Sequence, residues 1–166
     1  MTEPASVVSD GMVRVVWVDA LAFPENPDKA ELDAGFDATC YLTDQGWAPA
    51  LSEDTVNDPR LCSRQVFTRP GRHNETLPLV FVYNPEVPNE DEARATFVDR
   101  ATGYFVARWG VDFEQDWAAG DLVDVYPTQL GRPNKQAATA NTPLTIMQTG
   151  YVRSPGTQLD VLVIAS

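Results

Sequence analysis

Apolar residues fall in short runs separated by polar stretches that contain Pro and Gly. Met12 to Asp19 (MVRVVWVD) is rich in Val and carries a Trp, so it reads as a strand. Ala22 to Phe36 has two prolines and many acids and predicts a loop with at most one helical turn. Ala38 to Leu42 (ATCYL) predicts a short strand. Thr43 to Leu61 is polar and acidic, relieved only by Trp47, Ala48 and Leu51, and predicts a long loop. Loops beyond about 12–15 residues are usually functional or disordered. Arg64 to Arg69 and Thr76 to Asn84 predict two further strands. Between them, Arg69-Pro70-Gly71-Arg72 carries Pro and Gly at the positions a type II turn favours.

The one confident helical signal follows Pro85. Asn89 is placed to cap it, Glu92 completes a capping-box spacing, and Gly103 can close it. Ala93, Phe97 and Ala101, with Val98 beside them, give an apolar stripe at helical spacing. Tyr104 to Trp109 and Leu122 to Gln129 predict strands, and Leu130 to Thr142 a second flexible loop. Pro143 to Val152 and Gln158 to Ile164 predict a closing hairpin across the turn Ser154-Pro155-Gly156-Thr157. About eight strands at regular spacing with one helix indicate a mainly β, α+β chain: a β-sandwich or β-barrel with a flanking helix and long loops. The pattern gives a single domain over 1–166, with an extended N-terminal segment at 1–11 and the long loop at 43–61.

Composition changes this picture chiefly through charge. The 166 residues hold 24 acids and 12 bases, a formal net charge of −12. Such a chain repels phosphate backbones, which argues against sequence-specific nucleic-acid binding. The charge is also segregated. Residues 1–59 carry 12 acids and 2 bases, whereas residues 60–83 carry 1 acid and 4 bases. Residues 84–124 carry 10 acids and 3 bases, and residues 125–166 carry 1 acid and 3 bases. Alternating blocks can supply complementary patches for self-association, or can be solvated surface. Cys40 and Cys62, the only cysteines, make neither a disulfide framework nor a zinc site and are expected to be small buried hydrophobes. The N-terminal MTEPASVVSDG has no basic region followed by an apolar one, so no signal peptide is expected. No apolar run approaches the roughly 20 residues of a membrane span, and synthesis in the cytoplasm is expected.

Candidate chemistry is sparse. A hydrolytic triad needs a histidine, and the only one, His73, sits between Arg72 and Asn74 in what reads as a surface turn. There is no GxSxG, HExxH or P-loop sequence. Asp112, Glu114 and Asp116 alternate like the start of a calcium loop, but Trp117 and Val123 occupy the places where an EF-hand needs Gly and Glu. The residues therefore predict no catalytic group, no cofactor and no metal.

The order of features resembles the major tail proteins, or tail tube proteins, of long-tailed phages with non-contractile tails, particularly those of actinobacteria. The residues that carry the likeness are GMVRVVWVDALA at 11–22, CYLTDQGWAPALSEDTVNDPRLC at 40–62 and RPGRHNETLPLVFVYNP at 69–85. DEARATFVDRATGYFVARWG at 91–110 and WAAGDLVDVYPTQLGRPNKQ at 117–136 continue it. The resemblance implies a virion protein with a β-sandwich-like fold that closes into rings, normally of six, stacked into a hollow tube. DNA would pass through that tube without specific binding, and the long loop would reach an adjacent ring. The implied partners are other copies of the chain and the tail tape measure, tail tip and tail terminator proteins. The 43–61 segment then becomes a candidate contact surface, with Trp47, Leu51, Arg60 and Arg64 as its contact residues because Trp and Arg are enriched at interface hot spots. Asp112, Glu114, Asp116, Asp121 and Asp124 become candidates for lining the bore. Two other readings stand beside this one. One is a different virion component, such as a tail terminator or head decoration protein. The other is a β-sandwich module that binds carbohydrate or peptide through Trp47 or Trp117, with an acidic glycoside hydrolase more distant.

Overall fold

The computed structural model describes residues 3–165, so Met1, Thr2 and Ser166, at the ends of the single-domain reading, lie outside the described residues. Residues 3–9 of the N-terminal segment carry no regular secondary structure and are exposed. The fold is mainly β, one open antiparallel sheet of ten strands in a sandwich-like arrangement. Its strands are β1 (Val13–Val18), β2 (Phe36–Asp37), β3 (Leu42–Trp47), β4 (Ala50–Asp58) and β5 (Phe67–Val82). They continue as β6 (Thr102–Trp109), β7 (Leu122–Leu130), β8 (Asn134–Lys135), β9 (Thr145–Val152) and β10 (Gln158–Leu162). The order across the sheet is β2-β1-β6-β7-β9-β5-β3, with β10 on β7, β4 on β5 and β8 on β9.

The Val-rich runs become the centre of the sheet because both of their faces are covered. On β1, Val15 and Trp17 point into one cluster, while Val16 and Val18 point into another. Phe105 and Ala107 of β6 join the first cluster and Val106 the second, as period-2 alternation requires. The first cluster is closed by Leu77, Leu79 and Phe81 of β5 and by Ile146 of β9, which is the sandwich core. The rings of Trp17, Phe97 and Phe105 meet edge-on or tilted within it, at centroid separations of 4.7 to 5.9 Å. The second cluster is covered by chain outside the sheet: Leu21, Leu32, Trp117 and Val163. Leu32 belongs to α1 (Lys29–Asp33), the helical turn expected after Pro27, which Asp28 and Glu31 cap reciprocally.

Five expectations are corrected. Ala38 to Tyr41 is a turn rather than a strand, with Tyr41 and Leu42 N–H groups both donating to the Ala38 carbonyl and Leu42 opening β3. The segment 43–61 is not a loop: it holds most of β3 and all of β4. Its strand character was hidden because β4 buries neither face, so its sequence shows no alternation. Nor is there a turn at 69–72. Pro70 and Gly71 lie inside the single sixteen-residue β5, where the register against β4 slips between Glu53↔His73 and Thr55↔Pro70. This is a β-bulge, and a Cβ on Gly71 would stand 2.9 Å from the Asp54 carbonyl oxygen.

The helix expected from Asn89 to Gly103 shrinks to a single-turn 3-10 segment at Pro88–Glu90 and α2 (Glu92–Thr96). Phe97 leaves helical geometry (φ −88°, ψ 61°) to reach the aromatic core, and its N–H closes onto the Ala93 carbonyl. Gly103 belongs to β6, where a Cβ would stand 2.5 Å from the Trp17 ring. The final hairpin is also absent: β10 leaves β9 and pairs with β7. Among the described residues no helix is long and apolar enough to cross a membrane.

Candidate functional site

The most unusual surface is the arm made by β4 and the first half of β5. Eight residue pairs join the two strands, from Ala50↔Thr76 at the root to Asp58↔Phe67 at the far end. At about 3.3 Å per residue, β4 spans nearly 30 Å. Eight of its nine residues are exposed, and so is almost all of β5 from Phe67 to Asn74. The tip is the connection 59–66. Arg60 bonds Asp58 through Nε at 3.1 Å and Nη2 at 3.0 Å, and Ser63 bonds the Gln65 backbone. These contacts are local and solvated, and exposed ion pairs of this kind contribute little.

The sequence-derived contact residues separate into two places. Leu51, Arg60 and Arg64 are exposed on the arm and its tip, and Leu51 is 62% accessible. Trp47 is at the root, half-buried, packed on Phe105 and Tyr126 at 5.3 and 5.5 Å, and its indole N–H has no acceptor among the described residues. Sequence reasoning passed over Leu61, Val66 and Phe67, apolar side chains fully or more than half exposed at the tip. The signal available was three large apolar residues beside Arg60 and Arg64, where the long-loop reading meets the strand read at 64–69. His73 is on β5, not in a turn, exposed and 3.8 Å from Glu75. Cys40 and Cys62 are both free and exposed, against the expectation of burial. Cys40 falls in the turn before β3, and Cys62 falls in the tip, so neither is on an inward-facing strand position.

The acidic segment 112–124 is organised around a guanidinium. Arg108, 1% exposed, donates to the carbonyls of Asp112 (3.0 Å), Gln115 (2.5 Å) and Asp116 (3.0 Å), and to the Asp121 carboxylate (2.8 Å). Its guanidinium also stacks 4.7 Å from the Trp117 ring centre. The loop that looked like a cation site in sequence therefore wraps a cation of the protein's own. Asp121 is neutralised by this pairing. Asp124 accepts from the Trp109 indole N–H (2.9 Å) and the Asp160 N–H (3.0 Å), and the Asp112 carboxylate accepts the Glu114 N–H. Asp112, Glu114 and Asp116 are exposed. Among the described residues no three His, Cys, Asp or Glu side chains are grouped so as to hold a metal.

Two further surfaces stand out. A cavity of about 450 Å³ opens between the N-terminal segment, β1 and β3, floored by Val13, Leu42 and Trp47 and rimmed by Asp10 and Asp44. Along the outer edge of β10, Leu159, Leu162 and Ile164 are exposed next to Leu122. Near the root of the arm, burial pushes the Tyr126 hydroxyl pKa up, reinforced by the charges of Asp124 and Glu75. Burial, then the charge of Glu92, likewise raises that of Tyr41.

The family model for phage tail tube proteins matches residues 1–165. No curated protein matches the chain. Among solved structures, it is similar to a chain in the six-fold symmetrised cryo-EM structure of the anti-feeding prophage baseplate, with a TM-score of 0.54 and 12% identity. That alignment covers 95% of this chain and 97% of the other, a likeness of fold across the whole domain.

Proposed function

Since the chain belongs to the phage tail tube protein family and is thus a structural component of the phage tail, we propose that it polymerises as stacked rings of six into the tube that conducts DNA from capsid to host. The observation that carries this reading is the arm: a paired β-ribbon with apolar and basic side chains at its tip that none of the described residues covers. A two-stranded ribbon on its own is marginal in water, so a long exposed one is matched to a partner surface. The exposed apolar edge of β10 fits the same reading, because ring closure pairs edges that otherwise template aggregation. The six-fold symmetry of the structurally similar baseplate supports the count. The tape measure, tip and terminator proteins are the partners that such a tube requires.

The bore is proposed to be neutral or negative. Each Lys or Arg in it would strengthen phosphate binding by counterion release, and a repeating tube would multiply that into an adhesive track. Of the five acids assigned to the lining, Asp121 is neutralised by Arg108. Asp112, Glu114 and Asp116, with Asp124 beside them, are left to set the potential.

Negative-stain microscopy and sedimentation of the concentrated protein, alone and with a tail-tip initiator, test the assembly. Rings or tubes are expected. Replacing 52–74 by a two-residue turn should leave a folded subunit that does not stack. Monomers under every condition, or normal tubes from the armless variant, would overturn the reading.

A further inference from the structure

Among the described residues, the tip of the arm makes no hydrogen bond or ion pair to the body of its own subunit: every polar side-chain contact from Arg60 to Val66 stays within 58–65. It offers Leu61, Val66 and Phe67 as exposed apolar groups, with Arg60 just before them, Arg64 between Leu61 and Val66, and Arg69 just behind. A complementary surface would be concave, apolar at its base and acidic at its rim. The cavity between the N-terminal segment and β3 has that character. Its base is Val13, Leu42, Trp47 and Phe113, its charged lining residues are Asp10 and Asp44, and no Lys or Arg lines it. A volume of about 450 Å³ is enough for a few side chains of a turn, not for a strand. The larger cavity beside Val80 and Thr145 has four Thr and one Gln in its lining and carries one acid, and the β10 edge is apolar but not concave.

We propose that the arm tip of one subunit seats in this acid-rimmed cavity of another copy, with Arg60 and Arg64 facing Asp10 and Asp44. The inference rests on the assembly reading above and names the acceptor surface. Donor and acceptor are different patches of one chain, so the contact is heterologous and propagates from copy to copy. It also brings together the two exposed thiols, because Cys62 is in the tip and Cys40 lines the cavity.

The test uses assembled full-length protein and diamide, an azo oxidant. Two thiols give up two protons and two electrons, one S–S bond forms, and diamide is reduced to its hydrazine. Expected is a ladder of linked chains on a non-reducing gel, lost in both Cys40→Ser and Cys62→Ser. Co-assembly of those two variants, one carrying a mass tag, should give dimers of one chain of each kind. A short bismaleimide spacer reads the same pairing where the thiols stop short of bonding distance. Independently, Asp10→Lys with Asp44→Lys, or Arg60→Glu with Arg64→Glu, should raise the concentration needed for assembly about tenfold or more. All four changes in one chain should restore it. Tubes without intermolecular links from either reagent, links within a single chain, or no rescue by the fourfold reversal would overturn the docking while leaving the assembly reading intact. Failure of the unaltered protein to assemble would remove both.

Discussion

β5 is one strand with two histories. From Leu77 to Val82 it lies between β9 and β3, and every second side chain is buried: Leu77, Leu79 and Phe81. From Phe67 to Thr76 it is paired almost entirely with β4 alone, and none of its side chains is buried. Backbone pairing is continuous through both halves, so hydrogen bonding does not distinguish them. Burial does. A net hydrogen bond contributes only about 1 kcal/mol, while each large apolar side chain taken from water contributes about 1.5–3 kcal/mol. The body holds itself together by burial, and the arm buries no side chain of its own.

The sharpest way to break the comparison is to truncate one aromatic in each half. Phe81→Ala should cost the isolated subunit about 3–5 kcal/mol in a denaturant melt, because it empties space among Phe97 and the packed neighbours of the core. Phe67→Ala should change the same melt by no more than about 0.5 kcal/mol yet weaken assembly. Equal costs for the two would mean that the arm packs on its own body.

Next in size is Arg108, the polar counterpart of Phe81 within the body. Arg108→Ala removes four hydrogen bonds and the stack on Trp117; the Asp116 carbonyl loses its donor, while the Asp112 and Gln115 carbonyls and the Asp121 carboxylate keep only the Gln115 N–H, Arg14 and the Ala118 N–H respectively. A loss of about 3 kcal/mol is expected, the scale for breaking a buried charged pair. Trp117 fluorescence should shift as the ring becomes solvated. A melt within error of the unaltered protein would show that the 110–121 loop is held by its other contacts, the Arg14 and backbone hydrogen bonds among them.

Hydrogen exchange compares the two halves without mutation. Amides of β5 from Leu77 to Val82 should exchange only on global unfolding, and those from Phe67 to His73 at least about a hundredfold faster in the free subunit. On assembly the arm amides should become protected. Uniform protection in the monomer would refute the view that burial separates the halves.

The same contrast explains what was legible in the sequence. β1, β6 and β7 could be read because Val15, Val16, Phe105, Val106, Val123 and Val125 are apolar wherever a covered sheet demands it. β4 could not: Ser52, Glu53, Asp54 and Thr55 face water on both sides and carry no periodic signal. Pro70-Gly71 is turn chemistry used as a bulge, a choice settled by the partner strand and not by the dipeptide. The helix at 89–103 failed because its stripe of Ala93 and Phe97 was real, but Phe97 serves an aromatic core that lies outside helical geometry. Of the proposed assembly surface, Leu51, Arg60 and Arg64 are exposed, as a contact role requires. Trp47 was pulled into the body by Phe105 and Tyr126, partners that no local pattern announces.

The smallest expected effect concerns Tyr126, buried where the arm joins the body and beside the cavity that Leu51 and Leu159 line. Its hydroxyl pKa is raised above the ordinary 10.0, first by burial and then by the negative charges of Asp124 and Glu75. The folded state therefore keeps a proton that the unfolded chain releases near pH 10. By linkage, the stability tied to this proton is fully present below pH 10 and falls as pH rises above it, at about 1 kcal/mol per pH unit. Tyr126→Phe has no proton to lose, so its stability should fall less steeply. Urea midpoints for the two proteins should run parallel from about pH 8 to 9.5 and converge or cross between about pH 10 and 11. Lines that stay parallel through pH 11 would mean that the hydroxyl reaches water in the folded subunit, and that the root of the arm is as open as the arm itself.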